Sequence, residues 1–301
     1  MTQQREQALA RFETEWPAHA PDHAEVQARF IEAYDSFHAL GLADPHFDQE
    51  LLSGGDVRFA QRLGEMLLAQ RLRDAGFVLN SRPKGPDLRA TKDGRAVWLE
   101  LITPEPRNFP PDWFEPGEGA WTVPNDQMLL RWTAAIKEKK DRGQAYLVDG
   151  VLTSDEPYVI VVNNALLSRW GTELRGISQK PFVVEATLGV GPLQIRIDRT
   201  TLETVDTGHQ HRPNVTNKNQ SQVPADTFFD PAYRHVSAVM GTTLDTRSLR
   251  RAEWENYLAH NPNAVSLVPY GFLPANEEWA CRVNQDGYMV YKVASPSQGR
   301  R

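Results

Sequence analysis

Two carboxylates on neighbouring predicted strands are the residues of this chain best suited to chemistry. Asp87 follows Gly85-Pro86 where a strand begins, and Glu100 lies inside the apolar run Val97–Ile102. An ionised acid is costly to bury unless a cation pairs with it. Two such acids on adjacent strands can share a divalent cation, so this spacing predicts a metal site.

The elements that would hold these acids follow from the apolar periodicity around them. A helix is predicted over 57–75, with Glu65 inside it and Gly76 at its end. Strands are predicted over 77–80, 87–91 and 96–102. A short Asp-Gly turn joins the last two strands and favours a hairpin. Asp87 and Glu100 are therefore expected on antiparallel neighbours.

The rest of the pattern predicts a mixed α/β (α+β) protein with a central mixed sheet flanked by helices. Further helices are predicted within 1–50 and over 125–142, where Gly143 would end the helix, and over 163–170. The remaining predicted strands span 146–148, 158–162, 182–188, 193–197, 235–240, 265–268 and 288–293. Long loops are expected over 103–124, as a proline-rich ordered lid, and over 208–226. The expected divisions are an N-terminal helical segment 1–55, a core 56–200, and a β-rich C-terminal extension 201–301 that completes or flanks the sheet.

The composition is that of a globular protein. Of 301 residues, 40% are apolar and 24% are charged, so an ordinary core can form. The single cysteine, Cys281, excludes an internal disulfide and a multi-cysteine zinc site, which favours a reducing, cytoplasmic setting. No apolar run approaches the ~18 residues of a membrane helix, so no membrane partner is expected. A net charge of −6 argues against a general nucleic-acid coat but permits a local basic groove.

The order of elements around the two acids resembles the PD-(D/E)XK nuclease superfamily over roughly residues 57–165, in particular an uncharacterised bacterial branch. The marks are Glu65 on the first helix, Pro86-Asp87, Glu100 on the next long strand, and a helix beyond it. The resemblance implies a restriction-endonuclease-like core and metal-dependent hydrolysis of phosphodiester bonds, in DNA more than RNA. It implies that Asp87 and Glu100 hold magnesium (or manganese), with Glu65 assisting. By analogy, defence against foreign DNA is a common setting for the superfamily.

The chain departs from the superfamily motif at one position. The motif has a lysine two residues after the glutamate, and this chain has Ile102 there. Apolar residues at helical spacing mark the inward face of the second helix: Met128, Trp132, Ala135 and Ile136. Lys139 is next on that stripe and is predicted to bring its ammonium group to the acids. Relocated lysines occur in the superfamily, and the same helix offers Arg131, Thr133 and Lys137 as candidate phosphate contacts.

Other interpretations of these residues remain open at this stage. Lys137, Lys139 and Lys140, with Arg142, could instead form a solvated helix end, where cations are favoured. Glu65 could pair with Arg62 or Arg58 on the surface of its helix. The whole core could be an inactive nuclease-like module that binds a partner protein or a second copy of the chain. A glycosidase-type acid pair is the third hypothesis, with Trp113 and Trp121 as its aromatic platform.

Overall fold

The computed structural model describes residues 2–115, 122–169, 174–250, 255–284 and 287–294. It is a mixed α/β fold in which helices flank a large mixed sheet of eight strands. The helices are α1 (Thr2–Glu15), α2 (His23–Ala39), α3 (Phe47–Ser53), α4 (Asp56–Asp74), α5 (Asn125–Val148) and α6 (Phe182–Leu188). The strands of the large sheet are β1 (Val78–Asn80), β2 (Leu88–Lys92), β3 (Arg95–Ile102), β4 (Tyr158–Asn163), β9 (Ala238–Thr242), β10 (Asn256–His260), β11 (Glu277–Asn284) and β12 (Gly287–Lys292). Two smaller ribbons pair β5 (Val190–Ile197) with β6 (Thr204–His211), and β7 (Asn214–Thr216) with β8 (Gln222–Pro224).

The sheet order is β1-β2-β3-β4-β9-β10-β11-β12. Strands β1, β2 and β3 are antiparallel, as the predicted hairpin requires, whereas β3, β4 and β9 run parallel. Parallel strands need helical crossovers, so both faces of this central part are covered. Helices α1 to α4 contribute to the apolar core that contains Leu99 and Leu101, and α5 and α6 contribute to the core that contains Trp98 and Ile160.

Helix α4 follows the prediction for the segment 57–75 closely. Its buried stripe includes Phe59, Leu63, Met66 and Leu67. The chain leaves the helix through Gly76, which has a φ of +86°, a conformation that glycine adopts readily at helix ends. The apolar period therefore identified both the face and the end of this helix.

Helix α5 is longer than predicted, because Gly143 does not end it. The helix continues to Val148, so the predicted strand over 146–148 is wrong. A Cβ at residue 143 would lie 2.5 Å from Cε1 of Tyr158. Gly143 therefore permits a close contact between α5 and β4, at a cost of about 1 kcal/mol in helix propensity relative to alanine.

Several other predicted elements differ from the structure. Segment 182–188 is helix α6 and not a strand, and it is buried along its whole length, which removes the polar face that marks a helix. Segment 193–197 is a strand, but it pairs with β6. The polar segment 208–226 contains the end of β6 and the β7–β8 hairpin. No helix forms in the described part of 163–170, and 265–268 is not a strand. The predicted strand over 235–240 begins at Ala238, and β10 and β11 were not predicted.

The three N-terminal helices and the last four strands pack with the middle of the chain. Phe12, Phe30 and Leu51 from the first three helices share one buried cluster with α4 and the sheet. Strands β9 to β12 join the same sheet as β1 to β4. In the ranges that the structure describes, no helix has the length and apolar character needed to cross a membrane.

Candidate functional site

Asp87 is positioned by the turn that precedes β2. Gly85 has a φ of +148°, a conformation that L side chains rarely adopt, so glycine is favoured two residues before the acid. In the β2–β3 ladder Leu88 lies opposite Leu99. One further step in this antiparallel register brings Asp87 across from Glu100.

A hydrogen bond from the backbone of β3 fixes the position of the Asp87 carboxylate. The amide nitrogen of Leu101 donates to Asp87 Oδ2 at 2.7 Å. The β2–β3 hairpin thus brings the two acids together, and the local turn at Asp93-Gly94 closes this hairpin.

Glu100 lies in the middle of β3 and is only 1% exposed. Its Oε1 accepts a hydrogen bond from Lys139 Nζ at 2.8 Å, and Arg142 Nη1 lies 3.4 Å from the same oxygen. Its Oε2 is buried and has no hydrogen-bond partner among the described residues. A buried carboxylate oxygen without a partner is costly, so this atom is a natural ligand position.

Lys139 reaches Glu100 from the buried face of α5. The side chain is nearly inaccessible to solvent, which excludes the interpretation of Lys139 as part of a solvated helix end. The hydroxyl of Tyr158 donates to the Lys139 carbonyl at 2.9 Å. Together with the close approach at Gly143, this bond sets the position of the lysine relative to β4.

Glu65 of α4 is buried near the same site, but both of its oxygens are already engaged. Gln61 Nε2 donates to Oε1 and Arg62 Nη1 donates to Oε2, each at 2.8 Å. The pairing with Arg62 is one of the alternatives that the sequence left open. Arg58 instead pairs with Glu50.

Gln61 also ties α4 to the end of β3. Its Nε2 lies 3.2 Å from the Leu101 carbonyl oxygen, and the amide of Thr103 donates to its Oε1 at 2.8 Å. The amide of Gln61 therefore bridges Glu65 and the strand that carries Glu100.

Two acids at this site, Asp87 and Glu65, have a raised pKa. The pKa of Asp87 lies well above its ordinary value because the carboxyl is desolvated and because Glu100 and Glu65 are close, although Lys139 opposes the shift. Burial also raises the pKa of Glu65, despite the opposing charge of Arg62. Clustered acids with perturbed pKa values are typical of functional sites, since a site built only for stability would avoid them.

The residues present fit a hard divalent cation. The unpartnered Glu100 Oε2 and the neighbouring Asp87 carboxylate are oxygen donors of the kind that magnesium and manganese prefer. A cavity of about 130 Å³ lies beside Asp87 and Glu65, which is enough room for ordered waters. Among the described residues, no three His, Cys, Asp or Glu side chains form a metal-ligating group. A bound magnesium ion would therefore keep several waters, as it commonly does.

The predicted phosphate contacts are not brought to the two acids. Lys137 is exposed and pairs with Asp141 at 2.7 Å on the surface of α5. Thr133 is 2% exposed, and its hydroxyl donates to the Leu130 carbonyl within the helix. Neither residue contacts Asp87 or Glu100 here, because Lys137 lies on the solvent face and Thr133 is bonded to its own helix.

Arg131 is separated from Lys139 by eight residues, or about 12 Å along the helix axis. Its Nε donates to the carbonyl of Glu105 at 2.7 Å. Arg131 is therefore not adjacent to the acids, although it lies on the helix that carries Lys139.

Two residues of this site were not predicted from the sequence. Arg142 and Tyr146 lie one and two turns beyond Lys139 on α5, and Glu100 acts on both electrostatically. Burial, followed by the charge of Glu100, raises the pKa of Tyr146 to about 12. Arg142 was the last residue of the predicted helix and fitted a solvated helix end, whereas Tyr146 lay beyond Gly143, where the helix was expected to stop.

The aromatic residues of the proline-rich segment do not form a sugar platform in the described part of the chain. Trp113 is buried, and its Nε1 donates to the Leu167 carbonyl at 3.0 Å. Trp121 lies outside the described residues. Phe109 and Phe114 stack with ring centroids 5.8 Å apart. The glycosidase hypothesis therefore has no platform residue in support among those described.

Comparison with known proteins gives no relative for this chain: no protein-family model, no curated protein and no solved structure matches it.

Proposed function

We propose that this protein is a metal-dependent nuclease of the PD-(D/E)XK type that hydrolyses phosphodiester bonds in DNA. One observation carries the proposal: the buried Lys139 ammonium lies 2.8 Å from Glu100 Oε1, beside Asp87. The Pro-Asp turn, the strand glutamate and a lysine are the three parts of the motif. Here the third part comes from α5.

Ile102 explains why the lysine comes from a helix. It lies two residues after Glu100 on the same face of β3 and packs against the apolar cluster beneath α5. Its partner in the ladder is Val162, on a strand that is buried throughout. An apolar residue suits this layer, and Lys139 supplies the cation from α5, which packs over the same face of β3.

Each residue has a distinct role in the proposed reaction. Asp87 and Glu100 Oε2 would hold the ion, which supplies Lewis-acid stabilisation of the phosphate and a lower pKa for the attacking water. Lys139 orients that water and stabilises the negative charge that develops on the phosphate. Hydrolysis joins the water oxygen to phosphorus and breaks one phosphorus–oxygen ester bond. Gln61 and Arg62 hold Glu65 at the rim, where it contributes through water.

The test is cleavage of plasmid DNA and short oligonucleotides in magnesium and in manganese. Asp87→Ala, Glu100→Ala and Lys139→Met should each lower the cleavage rate by about 100-fold or more, as loss of an electrostatic catalytic group does. Lys137→Met is the matched control, because it removes an exposed lysine from the same helix. Unchanged cleavage by both Asp87→Ala and Glu100→Ala would exclude this site.

A second candidate is an inactive nuclease-like binding module. It is favoured by the two cations already at Glu100, because Lys139 and Arg142 can neutralise this carboxylate without a metal. Calorimetric titration with magnesium and manganese separates the two functions. The nuclease proposal requires binding that Asp87→Asn weakens, whereas absent binding, or binding that this variant does not change, supports the module.

A further inference from the structure

A second cavity, of about 620 Å³, lies between residues 107–109 of the segment that follows β3, the first half of α5 and the β7–β8 hairpin. This volume is in the usual range of small-molecule sites. We call it the α5 cleft. The lining residues used below are Arg107, Phe109, Leu130, Arg131, Asn217 and Lys218.

The α5 cleft is positively charged within a protein of net charge −6. Arg107, Arg131 and Lys218 line it, and none of them has a carboxylate oxygen within 4.0 Å in the described part of the chain. The one acid among the described lining residues, Asp126, is paired with Arg212 at 2.8 Å. Among the described residues, Glu105 and Glu138 act on Arg131 only from beyond ion-pair distance. The three cations therefore form no ion pair there, and an anionic ligand would relieve their mutual repulsion.

Arg131 is held in place before any ligand arrives. Its side chain is half-buried, and the bond from its Nε to the Glu105 carbonyl fixes the orientation of the guanidinium. Burial and then the nearby charge of Arg107 lower the pKa of Arg131. A guanidinium that is fixed and crowded by another cation is suited to a phosphate group, which accepts two parallel hydrogen bonds from it.

The α5 cleft also has an aromatic surface. Phe109 is half-buried and stacks on Phe114 with 27° between the ring planes. Leu130 adds apolar surface nearby, and the Asn217 amide adds hydrogen-bonding capacity. A flat aromatic ring next to cations is the arrangement that binds single-stranded nucleic acid, by stacking a base and neutralising its phosphate.

The α5 cleft is connected to the carboxylate site through the same two elements. Arg131 precedes Lys139 on α5 by about 12 Å along the axis. The segment that carries Arg107 and Phe109 continues directly from β3, which carries Glu100. A nucleic-acid strand that lies along α5 can therefore contact both places.

We propose that the α5 cleft binds a phosphate and an unpaired base of single-stranded nucleic acid. The base must be unpaired because stacking on Phe109 requires an exposed base face. That the bound strand continues into the carboxylate site rests on the proposed nuclease function. Binding in the α5 cleft itself does not depend on cleavage.

The test is fluorescence anisotropy of a labelled single strand of about ten nucleotides, within the range of known single-strand sites. EDTA is present so that no metal-dependent cleavage occurs. Lys218→Glu and Arg107→Glu should each weaken binding by at least tenfold. Each should also reduce the slope of log affinity against log salt by ~0.7, the contribution of one phosphate contact. Arg5→Glu is the matched control, because it makes the same charge change at an exposed residue of α1, which packs on the other face of the sheet from α5, and it should leave affinity unchanged.

The aromatic part of the proposal has its own pair of variants. Phe109→Ala should weaken single-strand binding. Phe109→Tyr should keep the wild-type affinity, because a tyrosine ring also stacks. A duplex of the same sequence should bind more weakly than the single strand. Equal affinities for Lys218→Glu and Arg5→Glu would overturn the proposal. Tighter duplex binding that Phe109→Ala does not alter would also overturn it.

The two proposals can fail separately. Asp87→Asn should keep single-strand binding and lose cleavage. A protein that binds single strands through Lys218 but cuts no substrate supports the α5 cleft and refutes the nuclease. If Lys218→Glu cleaves at the wild-type rate and binds single strands with the wild-type affinity, the proposed binding in the α5 cleft is refuted and the nuclease proposal is not affected.

Discussion

Glu100 in β3 and Glu185 in α6 are both 1% exposed, and in each the Oε2 atom has no hydrogen-bond partner among the described residues. Among the described residues, only Ser178 donates hydrogen bonds to Glu185 Oε1. Its backbone amide does so at 2.7 Å and its hydroxyl at 2.5 Å. Burial raises the pKa of Glu185 to about 6. Glu100 instead has Lys139 and Arg142 on one oxygen and a second acid alongside. Burial alone therefore moves an acid towards its neutral form, and the added cation and second acid distinguish the candidate site.

The largest expected effect comes from removing the cation at Glu100. Lys139→Met should lower the free energy of unfolding by about 3 kcal/mol, because a buried charge loses its main partner. Urea unfolding at neutral pH measures this. The double variant Lys139→Met/Glu100→Gln should recover part of the loss, since no buried charge is left unpaired. If Lys139→Met is as harmless as Lys137→Met, Glu100 does not depend on its lysine.

Glu185 should show a pH dependence of stability that comes from a single acid. Its pKa is raised from 4.5 to about 6 in the folded protein. The neutral Glu185 carboxyl therefore contributes about 2 kcal/mol to the free energy of unfolding. This contribution is complete below about pH 4.5 and is lost as the pH rises through about 6. Glu185→Gln should remove this dependence without changing metal binding or cleavage. A loss of metal binding in Glu185→Gln would remove the contrast between the two glutamates.

Asp87→Asn should stabilise the protein while abolishing metal binding. Because the pKa of Asp87 is raised, its contribution to stability is present in acid and is lost as the pH rises through that raised value. At neutral pH the amide should therefore raise the melting temperature by a few degrees, on the order of 1 kcal/mol. Wild-type metal affinity should increase with pH over the same range. A variant that melts lower than wild type at every pH would contradict the repulsion between the acids.

Tyr146→Phe should have the smallest effect. Its hydroxyl is half-buried near Glu100 and Arg142, and its raised pKa keeps it protonated at neutral pH. Loss of this group should change stability by less than ~0.5 kcal/mol and cleavage by only a few-fold. A 100-fold loss of cleavage with unchanged folding would make Tyr146 part of the chemistry.

The sequence predicted the parts of the site that depend on local structure. The turn between β2 and β3 fixes the register that brings Asp87 to Glu100, and the helical period predicted the buried face on which Lys139 lies. Tyr146 was missed because Gly143 was taken as the end of the helix, and the role of Gly143 depends on Tyr158, which is distant in sequence. Arg142 fitted a solvated helix end, because its contact with Glu100 forms only when α5 docks. Helix α6 was missed because it is buried on every side, so its pattern matches that of a central strand.

The β2–β3 hairpin also has a consequence for the order of folding. Asp87 and Glu100 are thirteen positions apart in a local hairpin, whereas Lys139 is separated from Glu100 by 39 positions and reaches it only when α5 docks. Local contacts close faster than distant ones, so we expect the two acids to meet early and the lysine to arrive late. Gly94→Ala, at a turn φ of +73°, should then slow refolding, and Gly143→Ala should mainly speed unfolding. A newly made chain would in this way hold its two acids together for a time without their lysine, until α5 is in place.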